Sequence, residues 1–327
     1  MPRWVYTCVM WHIKKKIRRM KNIILATLVV FFVGCTSPQT YLNKAVDVLE
    51  DNSINRDSID WVKFRNEVLE KGKEAESIKD TYPAIQYALG LLGDHHSFLM
   101  TPEQSKTFVD QKVPLPEISA ELINNRIGYI KIPGFWGDAN DRARKFAQQI
   151  QDTIRELDKN NIKYWIVDLS NDTGGNMWPM LLGLGPILGD GIVGYFASHN
   201  NGFIGWGYSK GSVFCNKNEV MKLKTPYKLR NKIEKLAVII SNNTCSSGEA
   251  TAVSFIGIKN SCFIGEPTYG NSTANGSFKL SDGAMIYLTV CKFADRNKKT
   301  YGVPINPDIV ALNETSKKIA IEWLNKK

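Results

Sequence analysis

Histidine is scarce in this chain: four in 327 residues, at His12, His95, His96 and His199. Cysteine numbers six, with no CxxC pair and no Cys/His cluster at zinc-ligand spacing. A structural zinc site and a small disulfide-stapled scaffold are therefore out of view, and no metal or cofactor is expected. There is no phosphate-loop ending, no internal repeat and no low-complexity stretch. Acidic residues are absent from 1–34, which carry seven of the 42 basic residues. The formal charge of +10 thus belongs mostly to the leader: the remaining 35 basic residues face 32 acidic ones, a balance of about +3. No basic stripe interleaved with aromatics follows, so nucleic acid is not an expected partner. What is present is an ordinary globular composition, 43% apolar and 23% charged, long enough for roughly two domains of ~150 residues.

The leader reads as an export signal. Its basic residues precede an apolar run over 23–33, followed by Gly34-Cys35-Thr36-Ser37. The run has 11 residues against the ~20 needed to span a bilayer as a helix. Residues 1–34 are therefore expected to be a cleaved signal peptide, and Met20 begins a complete signal by itself. Phe32-Val33-Gly34-Cys35 resembles the lipobox of bacterial lipoproteins. That resemblance makes Cys35 the expected lipidation site, the membrane a partner through that anchor, and the bacterial cell envelope the location, on its periplasmic or outer-surface face. An ordinary signal cleaved near Gly34, or an uncleaved anchor, is the alternative. Export permits disulfides among Cys215, Cys245, Cys262 and Cys291, but none is expected to be essential.

The body divides by periodicity. Residues 38 to about 100 read as helical: Trp61, Phe64, Val68 and Leu69 recur at helical spacing, and Ile85, Ala88, Leu89 and Leu92 repeat it after Pro83. Gly93-Asp94-His95-His96-Ser97 ends the helix in a loop. The proline-marked stretch 101–118 reads as a linker or surface loop. Beyond it, strands are expected over 127–132, 164–169, 236–240, 262–264 and 285–291. A long amphipathic helix carries Ala143, Phe146, Ala147, Ile150, Ile154 and Leu157 on one face, and another helix should cover 248–255. Buried strands followed by helices argue for an α/β domain. The expected division is 1–34 signal, 35–118 N-terminal helical region including the histidine loop, and 119–327 α/β catalytic domain. Trp136, Trp178 and Trp206 are candidates for core or for a groove.

Three loops concentrate chemistry. In Asn243-Thr244-Cys245-Ser246-Ser247-Gly248-Glu249, a serine sits between a buried strand and a helix N-terminus, where free amides favour developing negative charge. The same letters, Ser246-x-x-Glu249, also spell a capping box. In Asp168-Leu169-Ser170-Asn171-Asp172-Thr173-Gly174-Gly175-Asn176, paired glycines after a buried strand let the backbone approach a ligand and aim N–H groups at it. A plain capped turn is the alternative. In the third loop, His95 and His96 offer a base of suitable pKa for a serine nucleophile, a role a desolvated lysine can also fill.

Together these loops resemble family 41 of the serine peptidases, the C-terminal-processing (tail-specific) peptidases and their relatives. The family's T-x-S-x-[SG]-E loop is matched by Thr244 to Glu249. Its D-L-R-x-N-x-G-G strand end is matched by Asp168 to Gly175, with Ser170 in place of Arg, and its D-x-H-S/T by Asp94-His95-His96-Ser97. Gly265-Glu266-Pro267-Thr268-Tyr269-Gly270-Asn271-Ser272-Thr273-Ala274-Asn275, Asp282-Gly283, Ala294-Asp295-Arg296 and Tyr301-Gly302-Val303-Pro304-Ile305-Asn306-Pro307-Asp308 are also familiar, so the likeness covers about 85–310. It implies a ClpP/crotonase-like mixed β/α catalytic domain with a small N-terminal helical domain, and an enzyme acting on a peptide or protein.

By position the resemblance makes Ser246 the nucleophile, with Ser247 and Gly174 or Gly175 as oxyanion donors. The tail-specific branch has a Lys base in a G-K-G setting about 25 residues after the nucleophile. Here that region reads Tyr269-Gly270-Asn271-Ser272-Thr273. The branch resembling nisin-resistance protein uses a Ser-His pair and lacks the inserted PDZ domain, for which this chain has no room. The expected pair is therefore Ser246 and His96, with His95 as fallback and Glu249 or Asp94 as orienting candidates. Cys245 is expected to pack rather than react. The competing reading is a noncatalytic peptide- or lipid-binding lipoprotein that keeps the fold.

Overall fold

The computed structural model describes residues 37–326, apart from 110–112, 139 and 199–201. The signal segment 1–34, Cys35 and His199 lie outside the described residues. The chain divides into two compact units: one runs to Pro102 and takes in Gly276–Leu288, and the other comprises Glu103–Asn275 and Thr289–Lys327. The first unit's leading segment thus ends at Pro102, and a late segment belongs to it as well.

In the first unit, α1 (Pro38–Asn52) starts where the Ser37 side chain accepts the Thr40 N–H at 3.2 Å and Pro38 fills the first turn. Its apolar stripe, Tyr41, Leu42, Ala45, Val46 and Leu49, is buried. Helix α2 (Trp61–Lys71) is capped by Asp60, which accepts from Lys63 N–H at 3.1 Å. Helix α3 (Tyr82–Leu91) carries Pro83 in its first turn and buries Ala84, Ile85, Ala88 and Leu89. Strand β1 (Phe98–Met100) pairs antiparallel with residues 285–287. The Asp282 carboxylate accepts from the hydroxyls of Tyr41, at 2.7 Å, and Tyr82. The stretch 101–118 corrects the expectation of a bare linker: Pro102 opens helix α4 (Pro102–Val109), because a proline in the first helical turn forfeits no hydrogen bond.

The second unit is built on a sheet. Strand β2 (Ser119–Ile123) lies antiparallel to β3 (Ile127–Lys131), the amphipathic helix α5 (Asp141–Asp158) follows, and then β4 (Tyr164–Asp168). Helix α6 (Met177–Leu188) is buried over nearly its whole length. A meander comes next: β5 (Gly191–Ser198), β6 (Gly202–Ser209), β7 (Ser212–Cys215) and β8 (Asn218–Lys222). Strand β9 (Lys235–Ile240), helix α7 (Ser247–Val253) and β10 (Ser261–Gly265) return to the sheet. Strands β11 (Thr273–Lys279) and β12 (Met285–Ala294) each carry the chain across the division. The short β13 (Ile309–Val310) and helix α8 (Asn313–Asn325) complete the unit.

The central sheet has the order β13-β10-β9-β4-β3-β2, parallel except for β2. Both of its faces are covered, which explains why the strands read as continuous apolar runs. Ile130, Val167, Val238 and Ile240 pack with α5, α6 and α7, whereas Tyr129, Ile166, Ala237 and Ile239 face the α8 side, with Ala320 and Leu324. The carboxyl ends of β4 and β9 are adjacent, with Asp168 paired to Ile239. In open parallel sheets this edge is where sites form. Trp206 is fully buried, Trp178 half-buried and Trp136 47% exposed. Cys215, Cys262 and Cys291 are buried thiols and Cys245 is half-buried.

Candidate active site

Two loops leave those strand ends and are sewn together. Leu169 N–H donates to Ile239 C=O at 2.8 Å, extending the ladder by one residue. The Ser241 hydroxyl donates to Ser170 C=O at 2.7 Å, the Thr244 hydroxyl to Leu169 C=O at 2.8 Å, and Cys245 N–H to Asp172 C=O at 3.0 Å. The threonine of the T-x-S pattern thus fastens the serine loop to the glycine loop.

Ser246 sits where the chain turns into α7, with φ 54° and ψ −114°. That conformation is costly for a residue with a side chain, roughly 1–3 kcal/mol, and the surroundings hold it in place. Ser246 N–H donates to Glu249 Oε2 at 2.9 Å. The other oxygen, Oε1, accepts from the Thr268 hydroxyl at 2.6 Å and from Gly270 N–H at 3.0 Å. Glu249 is fully buried, and burial pushes its carboxyl up to about 7 against the pull of those donors. It therefore caps the helix and ties the 268–270 loop to the serine turn.

The two glycines differ in what their amides do. Gly174, φ 94°, donates its N–H to Asp172 Oδ1 at 3.1 Å, and its C=O accepts from Phe135 N–H at 3.1 Å. Its α-carbon lies against the serine turn: a methyl group built there would stand 2.7 Å from Cys245 O and 3.0 Å from Ser246 Cβ. Gly175, φ 106°, accepts from the Ser247 hydroxyl at 2.7 Å. Among the described residues, the amides of Gly175 and Ser247 have no protein acceptor. Ser246, Ser247, Gly174, Gly175 and Glu249 are thus gathered in one place in the second unit. Cys245 contacts Asn271 Nδ2 at 3.7 Å, and burial pushes its thiol up to about 11, so it carries no thiolate at neutral pH.

His96 belongs to the first unit. Asp94 shapes its loop: Oδ1 accepts from His96 N–H at 2.9 Å and Ser97 N–H at 2.7 Å, and Oδ2 accepts from the Ser97 hydroxyl at 2.6 Å. His95 takes up φ 55° and is exposed. Burial pushes the His96 imidazole down to about 4, with Asp94 pulling the other way, so the ring is neutral at physiological pH.

Two features escaped the sequence reading. Thr268 shares Glu249 with Ser246 and Gly270; it lies in the 265–275 stretch that resembles the family, but no role was assigned to it there. Asp172 is wholly buried at the heart of the glycine loop. Its signal was available: the D-L-R-x-N-x-G-G pattern has Asn where this chain has Asp172. Among the described residues, no three or more His, Cys, Asp or Glu side chains gather as metal ligands would.

The chain with this parallel-centred sheet, strained serine turn and paired glycines matches peptidase family S41. The model of that family matches residues 126–311, and the chain belongs to it. The nisin-resistance protein of Lactococcus lactis subsp. lactis is 33% identical over 300 residues, which is 88% of this chain and 87% of that one. The solved structure of a lipoprotein from Streptococcus agalactiae superposes with a TM-score of 0.73 at 26% identity, covering 93% of this chain and 99% of that one. The photosystem II D1 C-terminal processing protease shares the fold at 15% identity, with a TM-score of 0.60 over 89% of this chain and 98% of that one. The fold is that of S41 proteases, a mixed α/β catalytic body with an N-terminal helical region. The loop holding Asp94 and His96 precedes the family match.

Proposed function

We propose that this chain is an exported, lipid-anchored serine peptidase that hydrolyses peptide bonds through an acyl-enzyme. The observation that carries the reading is the Ser246 turn, with two amides lacking a protein acceptor, Gly175 and Ser247, beside it. His96 takes the proton of Ser246 Oγ as that oxygen attacks the substrate carbonyl carbon. The Gly175 and Ser247 amides hold the oxyanion, and the imidazolium then returns its proton to the departing amine. Water, activated by the same ring, releases the acyl group. Asp94 is the group that fixes the His96 loop. Cys35 anchors the mature chain to the envelope membrane, a reading supported by the likeness to a streptococcal lipoprotein. A peptide or protein is the expected substrate, and the name of the Lactococcus relative supports trying nisin among the peptides.

The test is labelling by a fluorophosphonate probe together with cleavage of a peptide library. Wild type should label and cleave. Ser246→Ala should do neither, and His96→Ala should lose as much as Ser246→Ala, because members of one catalytic unit fail together. A folded wild type that neither labels nor cleaves would make the protein a binding module on the same fold.

A further inference from the structure

Asp172 does nothing in the mechanism above, yet its side chain is enclosed by the two loops. It is 0% exposed. Its N–H donates to Leu169 C=O at 2.9 Å and its C=O accepts from Cys245 N–H at 3.0 Å. Oδ1 accepts from Gly174 N–H at 3.1 Å, while Oδ2 is buried without a hydrogen-bond partner. Gly248 leaves no slack on the other side: a methyl group built on it would stand 2.2 Å from Asp172 O and 2.9 Å from the carboxyl carbon. The ionisable groups brought up by the serine loop are Cys245 and Glu249, both acids. On its own loop the ionisable neighbour in sequence is Asp168, whose carboxylate is taken by the Tyr129 hydroxyl at 2.6 Å, Ser170 N–H at 2.8 Å and Lys131 at 4.0 Å. No cation of either loop meets Asp172.

We propose that Asp172 is a positioning residue that works as the neutral carboxylic acid: through Gly174 N–H it fixes the turn that aims the Gly175 amide at the reacting oxygen, and its ionisation shuts the hydrolytic step down. The proposal rests on the acyl-enzyme reading. The Gly174–Gly175 peptide is trans and planar, so its N–H points opposite to its C=O. That C=O is held by Phe135 N–H, which turns the Gly175 N–H away from Phe135. The Asp172–Gly174 bond locks the preceding peptide and so sets the rotation of the whole turn. A carboxylate with one bare, buried oxygen is expensive, whereas the acid with the same single acceptor contact is tolerable. Burial accordingly pushes Asp172 up to about 8. Once ionised, it would set a fixed negative charge behind the amides that must receive a second one, opposing the transition state.

The experiment compares wild type with Asp172→Asn, which keeps the acceptor oxygen and the size and cannot ionise. Fluorophosphonate labelling rates are measured from pH 6 to pH 10, and thermal unfolding from pH 4 to pH 9. Wild-type labelling should fall about tenfold per pH unit on the alkaline side of its midpoint, and Asp172→Asn should lack that limb while matching wild type within about threefold at pH 6. The variant's Tm should gain on wild type as pH rises from ~4 to ~8, because only the wild type holds a proton in the fold that its unfolded chain has released. Asp172→Ala, which orphans Gly174 N–H, should lower kcat with little change in KM. The same alkaline limb in both proteins, or a Tm difference that ignores pH, overturns the proposal. If neither protein labels at any pH, the acyl-enzyme reading has failed by itself. The Tm difference then still reports whether a buried acid sits at 172, and a flat difference overturns that too.

Discussion

Replacing Gly174 by Ala tests whether the contact between the two loops is what makes Ser246 reactive. The added methyl would lie 2.7 Å from Cys245 O, 3.0 Å from Ser246 Cβ and 3.2 Å from Ser247 N. The closest of these is about 0.7 Å inside the distance at which ordinary contact begins. Two of the three neighbours are backbone atoms, so the strain moves the serine turn itself. The φ of 94° adds a conformation that suits glycine. Backbone strain of ~1–3 kcal/mol and overpacking of ~1–3 kcal/mol together give roughly 2–6 kcal/mol. At ~2–4 °C per kcal/mol for a body of this size, Tm should fall by about 5–20 °C. Activity should suffer more: parting the loops by a fraction of an ångström misplaces the oxyanion amides, a loss of about 10²–10³ in kcat. Gly189→Ala is the control, since Gly189 has φ 76° but nothing within 4 Å of a built methyl. It should lower Tm while leaving turnover within about twofold. Probe labelling and peptide hydrolysis below both melting temperatures separate the two effects. Near-normal turnover in folded Gly174→Ala, or equal losses in both variants, would refute the idea that this contact positions the serine.

Ser170, where the family pattern has Arg, is fully buried with a hydroxyl that has no partner. Ser170→Ala should therefore keep or raise Tm in a melting experiment, by up to ~1–3 kcal/mol, and a clear loss of stability would mean that the hydroxyl has a partner after all. Glu249 is pushed up to about 7 in the fold, so the stability it contributes is full below its unfolded value and is lost as pH rises from ~4.5 through ~7. Glu249→Gln should flatten that part of a Tm-versus-pH curve, and an unchanged slope would place the titration elsewhere.

Most of the second unit was legible because each element obeys one period. The 127–131 strand alternates, the runs at 164–168 and 235–240 are apolar apart from one terminal charged residue each and are covered on both faces, and the 141–158 helix has a clean stripe. The element that escaped is α6, apolar on every side and so without a stripe to read. The meander β5–β8 escaped because Gly194, Gly205 and Gly207 interrupt its alternation. Those glycines answer to neighbours distant in sequence; a methyl on Gly194 would meet Trp206 at 2.4 Å. The 102–109 helix was hidden behind three prolines, one of which begins it. Within the candidate site, the letters singled out Ser246 and the two glycines, but the difference between the glycines was out of reach. Only the fold gives Gly174 N–H to Asp172 and leaves the Gly175 amide without a protein acceptor.

That asymmetry joins three features that look unrelated in the sequence: Ser170 in place of Arg, Asp172 in place of Asn, and a buried Glu249. In the proposed reaction, attack by Ser246 creates a negative charge, and the loops that would receive it bring two carboxyls whose pKa burial raises, Asp172 and Glu249, and no cation. Ionised, those carboxyls would raise the barrier, since at an effective dielectric of ~20 a like charge 4 Å away costs about 4 kcal/mol. Burial moves both the other way, Glu249 to about 7 and Asp172 to about 8. The growing oxyanion strengthens that preference, because a nearby negative charge makes each acid hold its proton more firmly. On the proposed mechanism, a neutral Asp172 leaves main-chain amides alone to answer the charge on the substrate.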